Sequence, residues 1–277
     1  MHTLRTTEKD PFIAGTGQLE EFHNRLIKLS DAGIFFCRQG HAHLNIDLKE
    51  YDIVKNTQII LHTGTILNLT EPSPDFKMSY FYFSNTLLQE VTFRLEPSFF
   101  HFLKEEPCFT LPDDCIQGIS GLMAAAEAIY KDKEHRFRDV IARNHLQCFL
   151  LDVYDKTHRW FTRKQIEGSN RKDELFKRFI ALIHKHCASQ REVGFYANEL
   201  FITSRYLSAI VQEVSGETAK SIIDKHVILE IKVLLQSTDL SIQEIANQLQ
   251  FPDQSFFGRY FKKHTGISPL NYRRTLS

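Results

Sequence analysis

The sequence predicts an α+β protein with two domains. The first is a small antiparallel β-barrel followed by helices, and the second is an all-α domain with two helix-turn-helix motifs joined by a long helix. Three observations support this prediction: apolar and polar residues alternate over residues 33–83, helical periodicity replaces that alternation from residue 85 onward, and one helix-turn-helix pattern occurs twice after residue 172. A chain of 277 residues is long enough for two domains that each bury a core.

The strands are predicted most clearly in the segment His41–Leu48. Apolar side chains occupy every second position from Ala42 onward, as a strand with one buried face requires. Several closely spaced strands without an intervening helix favour a small antiparallel barrel or sandwich, in a domain of residues 1–165. The further short runs that predict strands are 52–54, 58–61, 66–69 and 78–83.

The remainder of this domain, residues 85–161, is predicted to be helical. Asp113 and Asp114 are typical of the first turn of a helix. The run Cys148–Leu151 is apolar on more than one side, so its helix is covered from two directions. That cover is either the barrel or a second subunit. The polar stretch that follows has little to bury and contains the predicted linker, residues 166–171.

The C-terminal domain, residues 172–277, contains a helix-turn-helix at residues 241–266. Apolar residues recur at i, i+3, i+4 and i+7 from Ile242, on a short helix that Ser241 opens. After a turn, Asp253 occupies the N-cap position of a second helix, which Gly266 ends. Two short helices joined by a tight turn fit the major groove of duplex DNA.

The same pattern occurs once before, at residues 195–216, with Thr203 in the place of Asp253 and a turn one residue shorter. Residues 218–236 between the two copies predict one helix. Nineteen residues span roughly 28 Å at 1.5 Å per residue, which is close to the roughly 34 Å of one DNA turn. Such a helix places the two motifs in successive major grooves.

The formal net charge is zero, but the charges are uneven. Residues 171–277 carry 15 Lys+Arg and 11 Asp+Glu, which leaves 19 and 23 of the 34 of each kind for residues 1–170. A positive C-terminal domain favours a polyanionic partner. Five cysteines without a CxxC pair, no apolar signal core in residues 1–10 and no long apolar run predict a cytoplasmic protein.

The C-terminal segment resembles the DNA-binding domain of AraC-type (AraC/XylS family) regulators. The resemblance implies promoter DNA and RNA polymerase as partners, and a degenerate cupin-like N-terminal domain that senses a small effector or forms a homodimer. Gln250 departs from the family, which usually has Gly in this turn, so either the turn is altered or Gln250 adopts a positive φ with strain. The residues that carry the resemblance are Ala246, Phe251, Ser255-Phe256-Phe257, Arg259, Phe261-Lys262, Gly266, Ser268-Pro269 and Tyr272-Arg273.

The residues predicted to touch DNA lie at the start and on the exposed face of each second helix. Arg pairs with guanine, Gln with adenine and Ser with either, while Ala packs on a thymine methyl. The predicted base contacts are Arg205, Ser208, Ala209 and Gln212 in the first copy, and Gln254, Ser255, Gly258 and Arg259 in the second. The predicted phosphate contacts are Lys262, Lys263 and Arg273.

Two alternatives stay open for the N-terminal domain. His41 and His43 share one side of a predicted strand, a spacing similar to the first motif of metal-binding cupins, and a three-ligand site would also need His62. The chain would then be a metal-dependent enzyme fused to a DNA-binding domain. In the other alternative the barrel binds no ligand. We expect no catalytic residue, metal or cofactor, and we assign no effector-binding residues.

Overall fold

The computed structural model describes residues 4–92, 95–161 and 171–275. It divides into two compact units, Met1–Glu167 and Gly168–Ser277. Residues 166–170 of the predicted linker lie outside the described residues, and Arg171 already belongs to a helix.

The first unit contains two antiparallel sheets. One has the strand order β1-β8-β3-β6-β9 and the other the order β2-β7-β4-β5, so the barrel is not closed and the sheets form a sandwich. The strands are β1 Phe12–Gly17, β2 Ile27–Lys28, β3 Ala32–Gln39, β4 His41–Ile46, β5 Lys49–Val54, β6 Thr57–Leu61, β7 Ile66–Thr70, β8 Lys77–Phe83 and β9 Cys108–Thr110.

Alternation along the strands divides the apolar residues between two cores. Phe35 of β3 and Leu44 of β4 lie between the two sheets, whereas Ile34 and Phe36 of β3 face the helices on the outer side of the five-stranded sheet. Successive side chains of a strand point to opposite faces, so a strand buried on both faces reads as a continuous apolar run. The run Gly33–Cys37 is therefore apolar throughout.

The strands extend beyond the predicted range of 33–83. β1 pairs with β8, with Phe12 opposite Phe83, and β9 pairs with β6, with Thr110 opposite Thr57. β1 contains two glycines and β9 has three residues, so neither has a clear local pattern. Both are stabilised by partners distant in the sequence, which a periodicity analysis does not detect.

Four α-helices and one 3-10 turn, Glu20–Phe22, accompany the sheets in the described part of the first unit. The two longest, α3 and α4, belong to the apolar core on the outer side of the five-stranded sheet, where α3 packs on β1 and β8 and α4 packs on α1 and α3. Phe12 of β1 and Tyr130 of α3 make an edge-to-face contact at 5.8 Å between ring centroids. Packing within the first unit, on neighbouring helices, therefore accounts for the buried part of the Cys148–Leu151 run. The helices are α1 Asn85–Thr92, α2 Pro97–Glu105, α3 Asp113–Lys131 and α4 Arg138–Trp160.

The second unit is all-α and is built around the long helix α8. Ile223, Val227 and Ile231 recur along one face of α8 and are fully buried. The predicted helix 218–236 matches α8, which Thr218 caps through a hydrogen bond from Ser221 N. The helices are α5 Arg171–His186, α6 Val193–Glu199, α7 Ser204–Ser215, α8 Ala219–Ser237, α9 Ile242–Gln248, α10 Gln254–Thr265 and α11 Pro269–Arg274.

Candidate nucleic-acid interface

The turns of the two helix-turn-helix motifs have the same backbone geometry. Phe201 has φ 56° after α6, and Gln250 has φ 53° after α9. Of the two alternatives for Gln250, the structure has the positive φ, and Phe201 of the first motif shares it. In each turn two amides donate to carbonyls of the preceding helix: Phe201 N to Asn198 O, Ile202 N to Ala197 O, Gln250 N to Asn247 O and Phe251 N to Ala246 O, at 2.8–3.0 Å.

The second helix of each motif, α7 or α10, is here called its recognition helix. Each recognition helix has the predicted cap at its start and a glycine at its end. The Thr203 hydroxyl accepts a hydrogen bond from Tyr206 N at 3.2 Å, and the Asp253 carboxylate accepts one from Phe256 N at 2.7 Å. Gly216 and Gly266 end α7 and α10 with φ 73° and 81°, a conformation that glycine adopts without steric cost. These caps define the lengths of the two helices.

On α7, all four predicted base-contacting residues are exposed. Arg205, Ser208, Ala209 and Gln212 are spaced i, i+3, i+4 and i+7, so they form one face of the helix. The Gln212 amide donates to Gly216 O at 2.8 Å. This bond holds the Gln212 side chain near the end of the helix, whereas Arg205 lies in its first turn, where side chains of recognition helices contact bases.

On α10, Gln254, Ser255 and Arg259 are exposed, and Gly258 is half-buried. A Cβ at Gly258 would meet no atom within 4 Å, so packing within the protein does not require a glycine here. A residue without a side chain on this face allows a close approach of the helix backbone to a partner.

The two recognition helices differ in charge. α10 carries Arg259, Lys262 and Lys263, whereas α7 carries Arg205 and Glu213. Lys262 and Lys263 are exposed. α10 is therefore the stronger attractor for a phosphate backbone.

Arg273, the third predicted phosphate contact, is half-buried on α11. Its Nε donates to Leu235 O near the end of α8 at 3.3 Å. Part of its hydrogen-bonding capacity is therefore used inside the protein.

Arg191, which the sequence analysis missed, connects the two motifs. It lies between α5 and α6, with its guanidinium 3.7 Å from the centroid of the Phe251 ring. The guanidinium donates to Leu249 O and, at 3.3 Å, to Gln250 O. Burial lowers the pKa of this group. The Arg191 side chain thus joins the loop that precedes the first motif to the turn of the second motif. No local sequence pattern predicts this role.

A second connection runs through Asp224, a residue of α8 that is only 8% exposed. The Tyr260 hydroxyl of α10 donates to Asp224 Oδ1 at 2.6 Å, and Lys220 Nζ lies 3.2 Å from the same oxygen. Burial, followed by the hydrogen bond to Asp224, raises the pKa of Tyr260. Lys220 Nζ also donates to Arg191 O at 2.8 Å, so the long helix holds both connections.

Comparison with known proteins agrees with this geometry. A family model described as a helix-turn-helix domain matches residues 196–275. Over 82 residues the chain is 34% identical to the probable transcription factor PqrA of Proteus vulgaris, a match that covers 30% of this chain and 67% of PqrA. The chain belongs to the AraC-type family of DNA-binding transcriptional regulators. The family resemblance carried by the second motif is thereby confirmed.

One further relative of this AraC-type protein and one solved structure match over a longer part of the chain. The chain is 26% identical over 146 residues to the arabinose operon regulatory protein of Escherichia coli, which covers 50% of this chain and 46% of that protein. ToxT of Vibrio cholerae has a similar fold, with a TM-score of 0.52 at 16% identity over 100% of this chain and 98% of ToxT. The chain spans less than half of the length of the first relatives, for example 39% of the regulator YijO of E. coli.

The N-terminal unit of this AraC-type regulator places the candidate metal ligands outside the sandwich. His41 and His43 are exposed on the outer face of the four-stranded sheet, and His43 Nδ1 pairs with Asp52 Oδ1 at 2.6 Å. His62 lies in the loop after β6. Across residues 4–92, 95–161 and 171–275, no three His, Cys, Asp or Glu side chains are grouped so that they could hold a metal ion.

The interior between the two sheets is filled with apolar side chains. Phe35, Leu44, Ile59 and Met78 leave a cavity of about 20 Å³, room for about one water molecule. Within the described ranges, no helix combines the length and the apolarity needed to cross a membrane.

Proposed function

We propose that this regulator binds promoter DNA with α7 and α10 in successive major grooves. The observation that carries the proposal is the repetition of one turn geometry on both sides of a single 19-residue helix, which spans roughly 28 Å. Arg191 and Asp224 join this helix to the second motif. Two recognition helices held in this way fit binding sites that lie about one turn of DNA apart, roughly 34 Å.

The proposed base contacts follow from the exposed face of each helix. Arg205 and Arg259 have the donors for a bidentate contact to guanine, and Gln254 has the amide for adenine. Ser208, Ser255 and Gln212 add further polar groups, Ala209 offers a methyl group, and Gly258 brings the backbone close. We expect the first motif to supply much of the sequence preference, because its face carries a side chain at every predicted position.

The proposed phosphate contacts lie mainly on the second motif. Lys262 and Lys263 are exposed near the end of α10, and charges of this kind give affinity and salt dependence without sequence preference. Arg273 donates to Leu235 O, and we also propose it as a phosphate contact.

The N-terminal unit is proposed to control DNA binding by sensing a small effector, by dimerising, or by both. The ToxT protein, which shares the fold, has been crystallised with an unsaturated fatty acid bound. Val140 and Leu151 lie on one side of α4 and are 47% and 44% exposed, which supports a homodimer through this helix. RNA polymerase is the further expected partner. The solvent-facing positions of His41 and His43 favour regulation over a metal-dependent reaction.

Mapping of bound DNA across the genome tests this function. The wild-type chain should give discrete peaks at promoters, and a chain carrying both Arg205→Ala and Arg259→Ala should lose them while retaining weak binding to DNA in general. Peaks that persist in the double variant would contradict the assignment of these two arginines. A complete absence of peaks for the wild type would contradict the proposed function.

A further inference from the structure

We propose that a cavity of about 250 Å³ on the helical side of the first unit binds a compact, mainly apolar molecule with one uncharged polar group, such as an amide, carbonyl or hydroxyl. The proposal rests on the proposed function only in that the bound molecule serves as the effector. The cavity lies outside the sandwich, between the five-stranded sheet and helices α3 and α4.

One face of each helix forms the apolar walls. Cys115, Ile119 and Leu122 of α3 are spaced i, i+4 and i+7, and Phe149 and Val153 of α4 are spaced i and i+4. Strand β9 adds Phe109. A cavity of about 150 Å³ with apolar walls accommodates benzene, so about 250 Å³ accommodates a ring with a substituent. The sandwich interior, with about 20 Å³, does not.

A buried amide determines the polar part of the ligand. Gln58 is 5% exposed and lines the cavity. Its neighbour Ile59 faces the sandwich interior, so Gln58 faces the helices. Its amide is the uncharged polar group that β6 contributes to the lining of this cavity. A hydrogen bond formed away from bulk water is favourable only when both groups find a partner, so a ligand that extends into the cavity should carry a group that pairs with this amide.

The mouth of the cavity contains an ion pair rather than a single charge. Asp152 and Lys156 of α4 both line it, and their charged atoms are 2.5 Å apart. Each charge already has an opposite partner, so the mouth offers no net charge to select an ionic ligand. An uncharged polar group directed at Gln58 therefore fits better than a carboxylate.

The cavity also reaches the end of α4. Trp160 and Phe161 line it, and the Phe161 ring contacts those of Phe102 and Phe109 at centroid distances of 4.8 and 5.8 Å. A ligand packed against these rings contacts the last turn of α4, the final described helix of the first unit. We expect a bound effector to act through this end of the first unit.

The single tryptophan of the chain makes the test direct, because its fluorescence reports on the cavity wall. The probes are benzamide and toluene, which have similar shapes and differ in the polar group. We expect both to change the emission of Trp160 in the full chain in a saturable manner, with benzamide binding more tightly. We also expect benzamide to protect the exposed Cys148, which lines the cavity, against a maleimide.

Two glycines of α3 provide a matched pair of variants. A Cβ at either Gly118 or Gly121 would meet no atom within 4 Å, but only Gly118 lines the cavity. Gly118→Leu should weaken benzamide binding by about tenfold or more, equivalent to about 1.4 kcal/mol. Gly121→Leu should leave the binding within about twofold, because Gly121 does not line the cavity. Thermal unfolding and helix content should change alike in the two variants, which shows that a difference in binding comes from the cavity.

Gln58→Leu tests the polar contact separately. It should remove the preference for benzamide over toluene while toluene binding is retained. Absence of saturable binding and of Cys148 protection in the wild type would overturn the proposal, as would equal effects of the two glycine variants. A chain that binds its promoter DNA but neither probe would refute this cavity and leave the proposed function standing. Probe binding by a chain that fails to bind promoter DNA would support the cavity and refute the regulator function.

Discussion

Lys262 shows how a single residue can add affinity without adding sequence preference. Its exposed ammonium lies on the basic face of α10, and each phosphate contact releases counterions from DNA. Lys262→Ala should therefore lower the slope of log affinity against log salt by about one unit, measured by fluorescence anisotropy over a salt series. Lys131→Ala, an exposed lysine of the first unit, is the control and should leave the slope unchanged. An unchanged slope for Lys262→Ala removes it from the phosphate contacts.

Gln250 tests the cost of the left-handed turn. Its φ of 53° costs a non-glycine residue roughly 1–2 kcal/mol. Glycine removes this cost, but its more flexible unfolded chain offsets part of the gain in stability. Gln250→Gly should raise the free energy of unfolding by about 0.5–1 kcal/mol. Gln248→Gly, two residues earlier at the last position of α9, where the backbone is still helical, should instead lower it, by up to about 1 kcal/mol. Chemical denaturation measures both, and a loss of stability in both variants would contradict the strain argument.

At the scale of the elements, Arg191 is predicted to fix the geometry between the two motifs. Arg191→Met keeps the length of the side chain but removes the hydrogen bonds to Leu249 O and Gln250 O. Arg191→Lys keeps the positive charge but lacks the planar guanidinium group, which can donate to two carbonyls at once. We expect Arg191→Met to weaken binding to the full site and to reduce the penalty for changing the distance between half-sites. Gel-shift titrations over a spacing series check this, and Arg191→Lys should give an intermediate result.

A uniform loss of affinity at every spacing would mean that Arg191 only stabilises the fold.

The exposed side of α4 is predicted to form the homodimer. Leu151→Glu places a charge at the centre of this side, opposite the same residue of a second copy, and should shift the chain from dimer to monomer. Leu48→Glu is a matched control, because Leu48 is 46% and Leu151 44% exposed, and it should leave the dimer intact. Sedimentation analysis measures both, and a dimer that survives Leu151→Glu would exclude this face.

The sequence predicted those elements whose signals are local. Ser241, Thr203 and Asp253 cap their helices as expected, because a cap depends on residues three positions away. Arg191 could not be predicted, since its partners lie 58 and 59 residues further along the chain. β1 and β9 were missed for the same reason. The cavity likewise depends on four elements, β6, β9, α3 and α4, that meet only in the folded unit.

At the scale of the whole molecule, the chain combines a DNA-binding unit that has two helix-turn-helix motifs with a first unit that carries a candidate effector cavity. The two motifs are predicted to move as one rigid body, because α8 packs against both α7 and α10 in one apolar core and Asp224 accepts a hydrogen bond from Tyr260 of α10. Their target should therefore contain two short blocks of preferred bases at a fixed distance. One block should depend on Arg205 and the other on Arg259.

Selection of bound duplexes from a random pool tests this claim most directly, with the wild type, Arg205→Ala and Arg259→Ala in parallel. We predict two conserved blocks whose centres lie about 10 base pairs apart. Each variant should lose preference in one block and about 1–3 kcal/mol of affinity at the wild-type site. A single block, blocks at variable spacing, or equal losses on selected and random duplexes would contradict the account.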